Sequence, residues 1–215
     1  MQIETILWDN DGVLVDTETL YFRACRETLD EVGFELTEDL FREVSMRQGK
    51  STIHLAESLG LSVNELEALR LKRNDRYTEL LRQGVRVMTG IEETLRDLRD
   101  NVRMGVVTSS RKDHFDIIHE QTGLLRYFDF VLTHADFEQS KPHPECYLRA
   151  IDRFQVDVDT ALVVEDTERG LQAATDAGLR CVVIPNELTK GMDFSRAWAV
   201  LGNARELLSE VVETC

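Results

Sequence analysis

The sequence ILWDNDG at residues 6–12 joins an apolar run to two carboxylates and a glycine. The apolar residues do not alternate with polar ones, which is typical of a strand buried on both faces of a parallel sheet. Asp9 and Asp11 then fall just beyond the strand, where open α/β sheets bind their ligands. Gly12 permits the turn that would point both carboxylates the same way. The stretch therefore predicts a strand with chemistry at its carboxyl end.

Further apolar runs share this lack of alternation and are separated by segments of helical periodicity. They lie at residues 104–107, 130–132, 161–164 and 181–184. In one intervening segment, Tyr147, Leu148 and Ile151 are spaced to share a helix face. Strands that alternate with helices in this way predict an α/β fold with a doubly wound parallel sheet.

The residues between the first strand and the helix near Ile91 contain helical patterns only. Glycines end these patterns at positions 33, 60 and 84, and Ser62 with Glu65 has the spacing of a capping box. We predict an all-helical domain inserted after the first strand. The predicted division is an α/β catalytic core at residues 1–16 and 86–215, and a helical insert at residues 17–85.

Composition limits the possible partners and location. A net charge of −15 argues against nucleic acid or an anionic membrane as a partner, and no apolar run approaches the ~20 residues of a membrane helix. The N-terminus has no signal-like stretch. The cysteines show no pair spacing, which favours free thiols in a reducing cytoplasm; they are Cys25, Cys146, Cys181 and Cys215. We expect a cytoplasmic monomer that acts on a small molecule.

Acidic residues follow two of the predicted strands, and each pair has a structural alternative. Asp9 could attack phosphorus and Asp11 could act as general acid and base, but the same residues could form an Asx turn. Glu165 and Asp166 repel each other unless a cation neutralises them, and their oxygens suit Mg²⁺. Thr167 or Asp166 could instead cap the following helix.

Hydroxyls and a lysine near other strand ends favour an anion. Thr108, Ser109 and Ser110 separate a strand from a helix, so hydroxyls and free N–H groups would meet an anion there. Lys141 precedes two prolines, and its charge could neutralise a phosphoryl group. Taken alone, the three hydroxyl residues are equally compatible with a plain helix cap, and Lys141 is compatible with an ordinary surface lysine. Because parallel strand ends meet at one edge, the motifs together favour a metal and phosphate site.

Four motifs occur in a fixed order along nearly the whole chain. They are Asp9-x-Asp11-Gly12-Val13-x-x-Asp16, Thr108, Lys141-Pro142-x-Pro144 and Glu165-Asp166-x-x-x-Gly170-x-x-Ala173-Ala174-x-x-Ala177-Gly178. This set resembles the haloacid dehalogenase superfamily of phosphohydrolases. It is most similar to the subfamily with a helical cap after the first strand, which includes β-phosphoglucomutase and many small-molecule phosphatases.

The resemblance implies a role for each motif. Asp9 would be the nucleophile and Asp11 the general acid and base, with Mg²⁺ as the cofactor. The implied metal ligands are Asp9, the Asp11 backbone carbonyl, Asp166 and Glu165, and the implied phosphoryl contacts are Thr108, Ser109, Lys141 and the backbone of Asn10. The implied strand order is 5-4-1-2-3, with the helical insert closing over the site as a cap.

The cap loop at residues 47–51 lies where the resembled family carries its specificity loop. We expect Lys50, and with it Arg47 and Gly49, to contact the substrate's leaving group, although a solvated loop remains the alternative. We expect Tyr21 of the cap to contact the substrate as well. Lys50 also lies near the position of a Schiff-base lysine in relatives that cleave carbon–phosphorus bonds. Those relatives and the dehalogenases lack an aspartate at the position of Asp11, which disfavours both branches.

The sequence as a whole predicts a Mg²⁺-dependent phosphatase of a small phosphorylated metabolite, such as a sugar phosphate, acting through an aspartyl phosphate. Tyr21 stands where the mutase branch has a cap histidine, and this departure favours transfer to water. A sugar phosphomutase of the β-phosphoglucomutase type remains an alternative. A non-enzymatic phospho-receiver domain is a remote one, disfavoured by the helical insert and by the Asp-x-Asp spacing.

Overall fold

A six-stranded parallel sheet forms the centre of the protein, whose computed structural model describes residues 2–212. The strands are β1 Thr5–Trp8, β2 Arg103–Val107, β3 Phe130–Leu132, β4 Ala161–Glu165, β5 Arg180–Val183 and β6 Ala199–Val200. Their spatial order is β3-β2-β1-β4-β5-β6, and each neighbouring pair is parallel. The predicted fold class is confirmed, and the implied strand order is extended by β6. Met1 and residues 213–215, which include Cys215, lie outside the described residues.

Helices flank the sheet and fill the segment between β1 and β2. The α-helices are α1 Glu18–Asp30, α2 Glu38–Phe41, α3 Val63–Gln83, α4 Ile91–Leu98, α5 Lys112–Thr122, α6 Glu145–Phe154, α7 Glu168–Asp176 and α8 Leu207–Val212. A π-helical turn spans Arg42–Arg47, and 3₁₀ turns span Thr52–Leu59, Leu124–Tyr127, His134–Asp136 and Ala204–Glu206.

The sheet is buried on both faces, which explains its continuous apolar runs. Successive strand residues point to opposite faces. Ile6 and Trp8 pack on one face with Leu95 of α4. Leu7 packs on the other face with Tyr147 of α6. A polar residue at any of these positions would lose water without gaining a partner, so apolar side chains follow one another along each strand.

The regular elements between β1 and α4 are helical, as predicted. Ser62 begins α3 with the predicted capping box: its hydroxyl accepts from the Glu65 N–H, and the Glu65 carboxylate accepts from the Ser62 N–H at 2.8 Å. The helical pattern that was predicted to end at Gly60 is a 3₁₀ helix at Thr52–Leu59, and Gly60 adopts a φ of +77°. The division of the chain at residues 17 and 85 stays a prediction.

A third apolar cluster lies among the cap helices. It contains Cys25, Leu29, Leu36, Phe41, Met46, Ile53, Ala56, Leu69, Leu188 and Met192. Leu188 and Met192 come from the segment after β5, so this cluster also joins the cap elements to the sheet. Burial of these side chains, at roughly 25 cal/mol per Å², favours the packing of the helices on the core.

Two sequence expectations about packing are wrong or incomplete. Leu148 is exposed, because the buried face of α6 is formed by Cys146, Tyr147 and Ala150. Strand β6 was not expected, although Ala199 and Val200 lie within the apolar run at residues 197–201. Among the described cysteines, Cys25, Cys146 and Cys181 are free, as predicted. Across residues 2–212, none of the helices combines the length and the apolar character that a membrane crossing requires.

The capping box gives a testable contribution to stability. Ser62→Ala removes the acceptor for the Glu65 N–H, so the free energy of unfolding should fall by about 1 kcal/mol. Urea denaturation measures this, with Ser58→Ala as the matched control, since the Ser58 hydroxyl donates to a carbonyl and caps no N-terminus. Equal stability of Ser62→Ala and the wild type would contradict the assigned cap.

Candidate active site

Three carboxylates and one lysine converge at the carboxyl edge of the sheet. Asp9 follows β1, and Glu165 ends β4 with Asp166 next to it. One oxygen from each of these carboxylates lies within 4.8 Å of the others. The Lys141 ammonium lies 2.7 Å from Asp9 and 2.7 Å from Glu165, and all four side chains are buried. Strand ends that are distant in sequence therefore form one charged cluster, as expected.

Two glycines make room for the carboxylates. Gly12 has a φ of +79°, and a Cβ there would overlap Oδ2 of Asp166. A Cβ on Gly170 would overlap the carboxyl group of Glu165. Only glycine combines this conformation or this close approach with an intact acidic cluster. The predicted turn at Gly12 is present.

Burial and mutual repulsion shift the ionisation of the cluster. Burial, together with the charges of Glu165 and Asp11, raises the pKa of Asp9 to about 7, although Lys141 acts in the opposite direction. Burial raises the pKa of Asp166 well above its ordinary value as well. For Lys141, burial would lower the pKa, but the charges of Asp9 and Glu165 outweigh it and the pKa is raised. The cluster holds more negative charge than Lys141 alone neutralises.

The donor set fits a hard divalent cation. Oε2 of Glu165 and Oδ1 of Asp166 are buried and accept no hydrogen bond from any described residue. Buried acceptors without a partner are costly, and carboxylate oxygens are the ligands that Mg²⁺ and Ca²⁺ prefer. Asn186 donates to the other oxygen of Asp166 at 2.7 Å and so fixes its orientation.

Asp11 lies among hydroxyl groups rather than in the acidic cluster. Its carboxylate accepts from Thr17 at 2.5 Å, from Thr108 at 3.3 Å and from Ser110. Thr108, which the sequence assigns to the phosphoryl group, is buried and also accepts from the Ser110 N–H. The hydroxyls hold the Asp11 carboxylate toward the same cavity that Asp9 lines.

The remaining predicted phosphate contacts are placed differently. Ser109 lines the cavity, and its buried hydroxyl has no partner among the described residues. The Asn10 side chain accepts from His119 Nε2 at 2.9 Å and is fully buried. Thus the hydroxyl of Ser109 is free to bind a ligand, whereas the Asn10 side chain is held by His119 through Oδ1 and only its Nδ2 has no partner among the described residues.

A cavity of about 490 Å³ lies between the acidic cluster and the cap helices. Its cap-side wall includes Tyr21, Arg73 and Tyr77, and its core-side wall includes Lys141 and Arg169. The acidic cluster therefore opens into a space of the size that accommodates a small organic molecule.

Of the cap residues predicted to contact the substrate, some line the cavity and others do not. Tyr21 lines the cavity and accepts a hydrogen bond from Arg73 at 2.5 Å. Lys50 and Arg47 are exposed and are not among the described residues that line the cavity. Gly49 is set against the Arg169 guanidinium, where a Cβ would overlap it. The structure therefore gives no support to substrate contacts by Lys50 and Arg47. Instead, Arg169 of the core lies against the cap loop at Gly49.

Sequence reasoning missed several residues of the site. Asn186 follows β5, so the strand-end rule that found Asp9 and Asp166 could have found it too. Glu18 and Arg73 lie on cap helices, and Arg169 lies one residue before Gly170 of a recognised motif. Nothing in their spacing distinguishes them from surface charges. Burial raises the pKa of Glu18 well above its ordinary value, as do the neighbouring carboxylates.

Comparison with known proteins agrees with this geometry. Residues 6–184 match the family described as haloacid dehalogenase-like hydrolase. A phosphorylated carbohydrates phosphatase of Thermotoga maritima is 28% identical over 215 residues, covering 98% of this chain and 99% of that protein. The N-acetylmuramic acid 6-phosphate phosphatase of Pseudomonas putida is 28% identical over 186 residues, covering 86% and 83%. The crystal structure of CbbY from Rhodobacter sphaeroides in complex with phosphate has a TM-score of 0.80 at 26% identity, covering 96% of each chain.

The chain belongs to the haloacid dehalogenase-like hydrolases, because the family match extends over most of its length. The predicted family and the predicted enzyme class, a phosphoric monoester hydrolase, are confirmed. The alternative of a non-enzymatic receiver domain is thereby excluded.

The buried contact between His119 and Asn10 predicts a pH-dependent contribution to stability. Burial lowers the pKa of His119 from 6.5 to about 4, so between these pH values the unfolded chain binds a proton that the folded chain does not. The contribution of His119 to the free energy of unfolding is complete above pH 6.5. It decreases by up to about 3 kcal/mol as the pH falls toward 4.

The measurement is urea denaturation at several pH values for the wild type and His119→Gln. The difference between the two free energies of unfolding should change across this window, because other titrating groups are common to both proteins. Parallel pH profiles would contradict a neutral buried His119.

Proposed function

We propose that this hydrolase is a Mg²⁺-dependent phosphatase of a small phosphorylated metabolite, acting through an aspartyl phosphate on Asp9. The observation that carries the proposal is the position of Asp9. Its carboxylate is buried beside Lys141, belongs to the three-carboxylate cluster and forms part of the cavity wall. A nucleophile, a charge for the phosphoryl oxygens and a cation-binding set thus meet at one place.

The proposed reaction has two displacements at phosphorus. An Asp9 oxygen forms a bond to phosphorus while the ester P–O bond breaks, and Asp11 gives its proton to the leaving oxygen. Water then attacks the same phosphorus, Asp11 takes a proton from it, and the Asp9–phosphorus bond breaks to release inorganic phosphate. Asp11 starts and ends protonated, so one water is consumed for each ester. The hydroxyls of Thr17 and Ser110 hold the Asp11 carboxylate in position for both proton transfers.

Asp9, Asp166 and the backbone carbonyl of Asp11 would hold Mg²⁺, with Glu165 as a further ligand or as an orienting group. When bound, the cation offsets the charge of the carboxylates and of the phosphoryl oxygens. The raised pKa of Asp9 and of Asp166 and the unpartnered oxygens of the cluster support this assignment.

Lys141 and the hydroxyls near β2 would bind the phosphoryl group. The Lys141 ammonium is held by Asp9, Glu165 and the Val107 carbonyl, so its charge is fixed before a substrate arrives. Preorganised charge of this kind stabilises negative charge that develops in a transition state. The unpartnered hydroxyl of Ser109 supports a contact to a phosphoryl oxygen.

A phosphorylated sugar or a related compound is the proposed substrate. The cavity volume and the printed names of the relatives from Thermotoga maritima and Pseudomonas putida support this class. Tyr21 favours a phosphatase over a mutase: its ring packs at 5.2 Å from Tyr77, and burial raises its pKa to about 12, so it offers no proton exchange near neutral pH. Location in the cytoplasm and a monomeric state stay predictions.

Phosphate release tests the proposal directly. The wild type should release phosphate from p-nitrophenyl phosphate and from sugar phosphates with Mg²⁺, and EDTA should abolish turnover. Asp9→Asn keeps the shape of the side chain but not the nucleophile, so kcat should fall by at least about 1,000-fold. Asp97→Asn is the matched control, because Asp97 pairs with Arg205 away from the cavity.

The outcomes separate the candidate functions. Retention of phosphate release by Asp9→Asn would contradict the covalent route. Conversion of β-glucose 1-phosphate into glucose 6-phosphate without phosphate release would indicate the mutase alternative.

A further inference from the structure

Arg73 carries a buried charge with neutral partners. The residue is only 5% exposed and lies in the wall of the cavity. Its guanidinium donates to Asn74 at 3.0 Å, to Tyr21 and to the Cys25 sulfur at 3.9 Å, and it lies 4.9 Å from the Tyr21 ring centre. Across residues 2–212, no carboxylate forms an ion pair with it, and no residue accepts from its Nη2. A buried cation in such surroundings lacks the counter-charge that normally stabilises it.

The neighbouring arginines of α3 behave differently. Arg70 pairs with Glu67 at 2.6 Å, and Arg76 pairs with Glu27 at 2.5 Å. The chain has 40 acidic residues against 25 basic ones, so carboxylates are abundant. The unpaired state of Arg73 therefore does not reflect a shortage of acids. Arg70 also lines the cavity, but it is exposed and paired with Glu67, whereas Arg73 is buried and has no ion pair among the described residues.

Among the described residues, none of the acids that line the cavity forms an ion pair with Arg73, although Glu18 and Asp166 each keep one buried oxygen without a partner. Asp9 pairs with Lys141, and Asp11 accepts from three hydroxyls. Arg73 precedes Tyr77 by about one helical turn along α3, and both line the cavity. Arg169, on the core side of the cavity, likewise meets backbone carbonyls of Ser45 and Lys141. The wall beyond the acidic cluster is thus cationic at two points.

We propose that Arg73 binds a second anionic group of the substrate, a carboxylate or a second phosphate, at the end remote from the ester that is hydrolysed. The inference rests on the proposed phosphatase function and narrows its substrate class to phosphate monoesters with a further negative charge. A guanidinium presents paired N–H donors that match carboxylate and phosphate oxygens. The second anion of the substrate supplies the counter-charge that no described carboxylate provides to Arg73.

Matched substrates test the inference in the wild type. Glucose 6-phosphate and 6-phosphogluconate differ by a carboxylate, and fructose 6-phosphate and fructose 1,6-bisphosphate differ by a phosphate. The value of kcat/KM should favour the more charged member of at least one pair by roughly 10- to 100-fold, which corresponds to one charged hydrogen-bonded contact. The pair that shows the preference identifies the second group.

Variants then assign the preference to Arg73. Arg73→Met should reduce the ratio of kcat/KM values within the preferred pair by a similar factor, and Arg73→Lys should reduce it less, because it keeps the charge. Arg76→Met is the matched control on the same helix and should leave the ratio unchanged, since Arg76 is paired outside the cavity. Circular dichroism verifies the fold of each variant, and the wild-type ratio with Arg73→Lys decides the matter where Arg73→Met does not fold.

Each outcome supports or overturns the inference. Ratios near one for both pairs in the wild type overturn it while leaving the phosphatase function intact. A preference that survives in Arg73→Met also overturns it. Failure to hydrolyse any ester, p-nitrophenyl phosphate included, overturns the proposed function and this inference with it.

Discussion

The burial of three carboxylates at one sheet edge is the constraint on which the rest of the structure depends. Removing charges from water is costly unless they are paired, and Lys141 pairs with only two of them. Burial first, and then the charges of Glu165 and Asp11, raise the pKa of Asp9 despite the opposing effect of Lys141. Gly12 and Gly170 leave the space that the cluster needs, and the parallel strands bring its members together. A fold that buries such a cluster is suited to bind a divalent cation and a phosphoryl group.

Much of the fold follows from local sequence. Strands buried on both faces are apolar throughout, so the apolar runs predict all of β1 to β5, and the capping box at Ser62 predicts the start of α3. What escaped was set by contacts distant in sequence. The short strand β6 exists because it pairs with β5, and the orientation of α6 about its axis, which exposes Leu148, is decided by the neighbours it packs against.

The site, like the fold, has parts that local sequence predicts and parts that depend on contacts distant in sequence. Asp9, Glu165 and Asp166 lie at strand ends, and the geometry of a parallel sheet brings such residues together. Lys141 reaches the same edge from the loop between β3 and α6. The cap side is different, because a charge on a helix surface has the same local sequence whether it faces solvent or a cavity. The sequence therefore predicts a substrate contact for Lys50 that the geometry does not support, and it predicts no functional role for Arg73. Only the packing of cap on core reveals which of the two charges is buried.

The central claim is that the cluster of Asp9, Glu165 and Asp166 holds the divalent cation beside the nucleophile. Anomalous diffraction from crystals soaked with Mn²⁺, a scattering substitute for Mg²⁺, measures this most directly. The account predicts a peak bonded to oxygens of Asp9 and Asp166, and the loss of that peak in Asp166→Ala crystals. A peak bound elsewhere, or none in the cluster at a Mn²⁺ concentration that supports turnover, would contradict it.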